Sequence, residues 1–254
     1  MDPKTSFEVE GAHNLRDLGG LVGAGGRLLR HGRLIRSGEL NGLRDAGAQR
    51  LAQLGLARIV DFRSATERNA APTTAQALAQ VARWETSATE TLGDPVPLLR
   101  RCLVSTAQSR EVVHGIYRKM PYLHRVAYRA LIEAVAEGRP VLFHCAAGKD
   151  RTGAAAALLL SLAGVDRDAI RADYAASHAV VEQTTAAFLA KPGSAIATGI
   201  APEIWAPLMA SDPAYLDTMF DEIKRGHGSV EGYAADVLDL PTDISARLRD
   251  ALLA

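Results

Sequence analysis

Cysteine is scarce in this chain. Only two occur in 254 residues, Cys102 and Cys145, which excludes a disulfide framework. No grouping of His, Cys, Asp and Glu has the spacing of a structural zinc site, so no metal is expected. Aromatic residues make up only 5%, against a β-sandwich, and a surplus of either charge is missing: 29 Lys and Arg stand against 29 Asp and Glu. That balance excludes a broad basic footprint for nucleic acid, so any binding of phosphate must come from a local site. Long apolar runs are absent too. The longest, around Gly153 to Gly164, is far too short to cross a bilayer and reads as a buried helix, with no integral membrane association. From Met1 to Glu8 there is neither a basic n-region nor an apolar h-region, hence no legible secretory signal. These absences predict a reducing, cytoplasmic setting, with export by a route that needs no signal peptide still open.

What is present points to helices around a small sheet. Hydrophobic residues make up 48% of the chain, enough to bury a substantial core. Gly19-Gly20 and Gly23-Ala24-Gly25-Gly26 predict turns between short strands. Leu43, Ala46, Leu51 and Leu54 fall on one helical face, and Gly55 follows as a stop. Ile59-Val60-Asp61-Phe62 reads as a buried strand, and Val81 to Glu85 as a second. From Thr86 to Gln108 periodicity is weak, and a loop that long tends to be functional. A helical pattern then runs from Val112 to Ala134, to be kinked or divided at Pro121 and ended at Gly138. Pro140 to His144 is a further short strand, followed by a helix from about Arg151 to Ala163. Alternation of strands and helices predicts an α/β fold, a central, mainly parallel sheet with helices on both faces. Beyond Asp166 the pattern is helical only, so the C-terminal part is expected to pack near the site.

The chemistry lies between that last strand and its helix. Cys145 ends the strand and Arg151 follows six positions later, at the helix start. Ala146, Ala147 and Gly148 are small or flexible, which lets backbone N–H groups turn inward around an anion. The helix N-terminus adds its own unpaired donors and dipole. Such a cradle binds a tetrahedral oxyanion and favours a cysteine thiolate. Arg151 can hold two phosphate oxygens through its planar fork, and Thr152 can donate its hydroxyl to the sulfur when the thiolate re-forms. Donors fixed around the equatorial oxygens stabilise the transition state of phosphoryl transfer directly.

The string His144-Cys145-Ala146-Ala147-Gly148-Lys149-Asp150-Arg151-Thr152-Gly153 resembles the signature of the cysteine-dependent tyrosine and dual-specificity phosphatases, in particular their bacterial and fungal branch with Gly-Lys-Asp-Arg. Asn14-Leu15-Arg16-Asp17-Leu18-Gly19-Gly20, Gly32 to Ser37, Val60-Asp61-Phe62-Arg63-Ser64 with Glu67, and Gly164 to Arg167 are similar to other segments of that branch. The resemblance implies the cysteine-phosphatase fold over one domain, residues 1–254: an N-terminal hairpin region over 1–40, a core over 41–165 with its phosphate loop at 144–152, and a helical part over 166–254. It also implies a phosphocysteine intermediate, no cofactor, and a phosphorylated protein as substrate. Lys149 has two readings. It is either a solvated loop charge or a second cation at the pocket mouth, which by resemblance suits phosphoinositide substrates.

The general acid is not fixed by the string. A carboxylic acid must protonate the leaving oxygen, and the candidates are Asp150 inside the signature, Asp94 in the long loop, and Glu85. Asp94 before Pro95 also suits a plain turn, and Asp150 a helix start. Asp61 and Arg63 leave a strand where α/β sites form, and either brace the loop or pair with Glu67. His13, His31, His114, His124, His178 and His227 are expected to be structural, Cys102 inert, and Trp84 and Trp205 packing residues. Two rival functions remain: a rhodanese-like sulfurtransferase, and a phosphate-binding module without turnover. The Arg-Thr pair and the preceding His favour the phosphatase over the first, and retention of both Cys145 and Arg151 over the second.

Overall fold

Short buried strands form the centre of the molecule. The computed structural model describes residues 9–86, 105–180 and 201–254. Its strands are β1 (Arg16–Asp17), β2 (Leu34–Ser37), β3 (Arg58–Asp61), β4 (Ala82–Glu85) and β5 (Val141–His144). They make a five-stranded sheet in the order β1-β2-β5-β3-β4, parallel except for β1. All four residues of β2 and of β5 are buried, as expected of parallel strands covered on both faces. Alternate side chains divide between two cores. Leu34, Val60, Val141 and Phe143 enter the larger one, and Ile35, Ile59 and Leu142 the smaller. Each such side chain, fully buried, contributes about 1.5–3 kcal/mol relative to exposure.

Helix α1 (Asp45–Ala52) covers the smaller core through Leu51, and Gly55, at φ +66°, ends its segment. Helix α2 (Ala65–Ala70) is set by a capping box, in which the Ser64 hydroxyl accepts from the Glu67 N–H and the Glu67 carboxylate from the Ser64 N–H. The expected weak region contains residues 87–104, which lie outside the described ones, together with Asp94 and Cys102. Its last part is helical: α3 runs from Thr106 to Leu123. Pro121 sits inside α3, and the division comes at His124, before α4 (Arg125–Ala136).

Helix α5 (Asp150–Leu162) is the central pillar. All of it but Asp150 and Ser161 is buried, because its alanines let neighbours approach from every side. Around it stand α3, α4, α6 (Arg167–Ala176), α8 (Pro213–His227), α9 (Val230–Asp236) and α10 (Ile244–Leu252). The remaining helix, α7 (Pro202–Met209), packs on α3. Asp212 caps α8 by accepting from the Ala214 N–H, with Pro213 in the first turn. The described C-terminal part is thus helical, apart from a single bridge between Leu253 and Leu29. Among the described residues no helix is long and apolar enough to cross a membrane.

Candidate active site

Strand register brings the chemistry to one edge. Ser37 and Asp61 flank His144 in the sheet, so β2, β3 and β5 end at the same level. Open α/β sheets bind ligands outside these carboxyl ends, and here residues 145–149 loop out before α5 begins. Gly148 is at φ +69°, and a Cβ there would lie 2.6 Å from the Ser37 carbonyl carbon. No other residue fits that position.

The loop is held by its carbonyl oxygens. Ala146 O accepts from the Glu39 N–H at 2.8 Å and contacts His13 Nε2 at 3.1 Å. Ala147 O accepts from Asn14 Nδ2 at 3.0 Å, and Gly148 O from Arg36 Nη2 at 2.8 Å. A trans peptide sets each N–H opposite the preceding carbonyl. With these oxygens tied outward, the N–H groups of Ala147, Gly148 and Lys149 face the inside of the loop. Such an arrangement can cradle an anion.

Arg36 is fully buried in β2, and burial together with the Arg16 charge lowers its pKa to about 10 despite its pairing with Asp173 of α6. Arg16 donates to the same carboxylate at 2.7 Å and to Asn14 Oδ1 at 2.5 Å. One buried acid thereby fixes two arginines, and these hold Gly148 and Asn14 in place. Burial opposes ionisation of Asp173, but the Arg36 and Arg16 charges outweigh it and hold its carboxyl below the ordinary value.

The far end of the loop carries Arg151, which is 5% exposed. Its Nη1 and Nη2 donate to the two Glu67 oxygens at 2.8 and 2.7 Å, and Nη1 also to Phe62 O at 3.2 Å. Burial disfavours the charge, yet the Glu67 hydrogen bonds and the nearby Cys145, Glu67 and Asp150 raise the guanidinium above its usual value. In return the pair holds Glu67 down to about 2, against its own burial. Cys145 is buried at the opposite end, 2% exposed. The preceding His144 is fully buried, with Nδ1 3.2 Å from Cys145 O and Nε2 3.5 Å from Asp61. Burial drives it to about 4, so it is neutral at pH 7. Asp61 is in turn gripped by Arg63, at 2.8 Å from Nη2. Asp61 and Arg63 therefore pair with each other and brace His144, while Glu67 serves Arg151.

Of the expected site residues, the structure brings Cys145, Ala146, Ala147, Gly148, Lys149, Asp150, Arg151 and Thr152 together in this loop and helix start. The Thr152 hydroxyl is buried and has no partner among the described residues. Lys149 is buried, 7% exposed, and donates to Leu208 O at 2.7 Å and Ala210 O at 3.0 Å, where α7 ends. A cation there complements the helix dipole. Asp150 accepts from the Tyr117 hydroxyl at 2.8 Å. Glu85 pairs with Arg68 at 3.1 Å. His13 and Asn14 contact the loop; among the described residues no group of His, Cys, Asp and Glu could hold a metal ion. Sequence reasoning missed Arg36, Asp173, Tyr117 and Tyr174. One signal was available for Arg36, a charged residue inside a strand that reads as buried.

Sheet, loop and helix together make the cysteine-phosphatase fold. A model described as the tyrosine phosphatase family matches residues 7–254. A chain of Cupriavidus necator named as a tyrosine-protein phosphatase is 37% identical over 256 residues, covering 97% of this chain and 90% of that one. The triple specificity protein phosphatase PtpB of Mycobacterium tuberculosis is 34% identical over 260 residues, 90% of this chain and 92% of its own. Among solved structures, Pseudomonas aeruginosa TpbA in complex with phosphotyrosine matches over 68% of this chain and 78% of that one, at 21% identity and a TM-score of 0.36; this likeness carries no part of the assignment. The chain belongs to the tyrosine phosphatase family.

Proposed function

We propose that the protein hydrolyses phosphotyrosine, and with it phosphoserine, phosphothreonine and phosphoinositides, through a phosphocysteine intermediate. The observation that carries this reading is the loop itself: carbonyls tied outward, N–H groups inward, Cys145 at one end and Arg151 at the other. The Cys145 thiolate attacks phosphorus, an S–P bond forms and the P–O bond to the leaving group breaks. The inward N–H groups and Arg151 hold the equatorial oxygens, where charge gathers. Asp150, at the first turn of α5, gives its proton to the leaving oxygen. Its carboxylate then takes a proton from the water that attacks phosphocysteine, releasing phosphate. Thr152 donates to the sulfur as the thiolate re-forms.

Breadth of substrate is supported by the recognition of the phosphoryl group through backbone, and by the likeness to a phosphatase named for triple specificity. The test is Cys145→Ser. Its fold is expected to persist while turnover of phosphotyrosine peptide, phosphoserine peptide and phosphoinositide is lost, since the loop does not ionise a serine hydroxyl near pH 7. Rapid quench of the wild type with labelled phosphate ester is expected to trap phosphate on Cys145. Full activity in the serine variant would sink the mechanism. Thiosulfate-dependent transfer to cyanide by the wild type would favour a sulfurtransferase instead.

A further inference from the structure

Two buried phenols stand behind the proposed acid, and nothing in the loop chemistry accounts for them. Tyr117 of α3 and Tyr174 of α6 are 0% and 1% exposed. Their hydroxyl oxygens are 2.5 Å apart, and Tyr117 is 2.8 Å from Asp150 Oδ1. Each phenol has one proton. Tyr117 spends its own on Asp150 Oδ1, which accepts both in the carboxylate and, with the proton on Oδ2, in the neutral acid, so Tyr174 must donate to Tyr117. The chain of donors runs from Tyr174 through Tyr117 to Asp150. Burial raises both phenols well above their ordinary pKa, with the Asp150 charge adding to it, so neither loses its proton near neutral pH.

The pair is also locked from outside. A Cβ at Gly153, one turn into α5, would come within 2.7 Å of the Tyr174 ring. Glycine in the interior of a helix costs about 0.5–1 kcal/mol relative to alanine, and here it gives that ring room against α5. Tyr117 also packs edge-on to Tyr174, with centroids 6.2 Å apart. Both contacts to Asp150 among the described residues fall on Oδ1: Tyr117, and Lys149 Nζ at 3.4 Å. Oδ2 is left for the proton.

We infer that Tyr117, backed by Tyr174, is a positioning residue that holds the Asp150 carboxyl by Oδ1 and leaves Oδ2 aimed to protonate the leaving group. This rests on the proposed role of Asp150 as general acid. The charged and titratable groups around that carboxyl are Lys149 and Arg151 from the loop and α5, Tyr117 from α3, Tyr174 from α6, Tyr128 from α4 and Tyr215 from α8. Only Tyr117 among the four phenols donates to the carboxylate.

Tyr117→Phe tests the inference, with kcat, KM and the pH–rate profile measured on an alkyl phosphate and on an activated aryl phosphate. An alkoxide leaves only with a proton, whereas a nitrophenolate needs little help. The alkyl substrate is expected to lose about tenfold or more in kcat, part of the 10²–10⁴ that a positioned acid supplies, with the aryl substrate within about twofold and KM unchanged for both. A hydrogen bond donated to a carboxylate favours its ionised form. Its loss is therefore expected to move the basic limb of the profile, set by the acid that must stay protonated, to higher pH. Placed on Asp150→Asn, the same substitution is expected to add no further leaving-group dependence.

Equal losses on both substrates with an unmoved basic limb, in a variant that melts like wild type, would overturn the inference and make Tyr117 a packing residue. If Tyr117→Phe does not fold, Tyr174→Phe carries the same test, with a smaller shift of the limb in the same direction. Failure of the underlying reading is read separately. Asp150→Asn with no leaving-group dependence removes the acid role, whatever Tyr117 does.

Discussion

At the scale of the residue, the Arg151 guanidinium is fixed by protein groups on two sides. Glu67 holds both of its terminal nitrogens, and Phe62 O accepts as well. A fork fixed in advance needs no reorganisation when charge develops on the phosphoryl oxygens. Lysine offers a point charge on a flexible stem. Arg151→Lys is therefore expected to lower kcat by about 10³-fold, and a loss under about tenfold would show that another group holds the phosphoryl oxygens. Glu67→Gln separates the ion pair from the cap. Glutamine still accepts from Arg151 and still completes the capping box with Ser64, so helix α2 is expected to survive. Breaking a fully buried pair costs about 3–5 kcal/mol. Glu67 retains 27% exposure and glutamine one of the two bonds, so about 1–3 kcal/mol is expected here, measured by denaturant midpoint.

At the scale of elements, the loop is shaped by segments far away in sequence. The bond from Arg36 to Gly148 spans 112 positions, that from Asn14 to Ala147 spans 133, and that from Tyr117 to Asp150 spans 33. This explains what the sequence discloses and what it withholds. Cys145, Gly148 and Arg151 act through their spacing along one strand, loop and helix, so the local string reveals them. Strand positions were legible for the same reason, since alternation and short apolar runs are local. Asp173 and Tyr174 look like ordinary residues of an amphipathic helix, and only the packing of α6 on α5 brings them to the site. Lys149 shows the limit from the other side. Its place in the string suits a free cation at the pocket mouth, yet its ammonium is held by Leu208 O and Ala210 O at the end of α7. Methionine keeps the length of the stem and removes those donors. Lys149→Met is expected to speed amide exchange over residues 202–210 by about tenfold or more, from the roughly 1.5–3 kcal/mol of a charged hydrogen bond, with the melting temperature nearly unchanged. Unaltered exchange there would show that α7 is held by packing alone.

At the scale of the whole molecule, the buried titratable groups act together in one direction. His144 is held at about 4 by burial, with Asp61 opposing and Arg63 assisting. His124, at the junction of α3 and α4, is held at about 4 by burial and then by the Arg151 charge, with Glu67 opposing. An unfolded chain protonates both near pH 6.5. Between pH 6.5 and 4 the unfolded state therefore binds protons that the native state refuses, and stability falls as pH falls. Below about 4.5 the carboxylates continue the trend. Glu67 stays ionised in the fold to about 2, and Asp61 and Asp173 are lowered too, so the unfolded state again binds more protons. The stability curve is expected to be flat from pH 7 to 8 and to decline steadily from pH 6.5 downward, with no acid optimum. His124 is the better place to test this, because it is not in the sheet that carries Cys145 and its Nε2 has no partner to lose among the described residues. Each histidine contributes nearly one proton near pH 5, a slope of about 1 kcal/mol per pH unit. His124→Gln, followed by urea midpoints from pH 4 to 8, is expected to remove about that much slope around pH 5 while leaving the carboxylate decline below pH 4.5 in place. An unchanged slope would mean that the folded chain takes up the proton at His124 after all, beside the Arg151 charge.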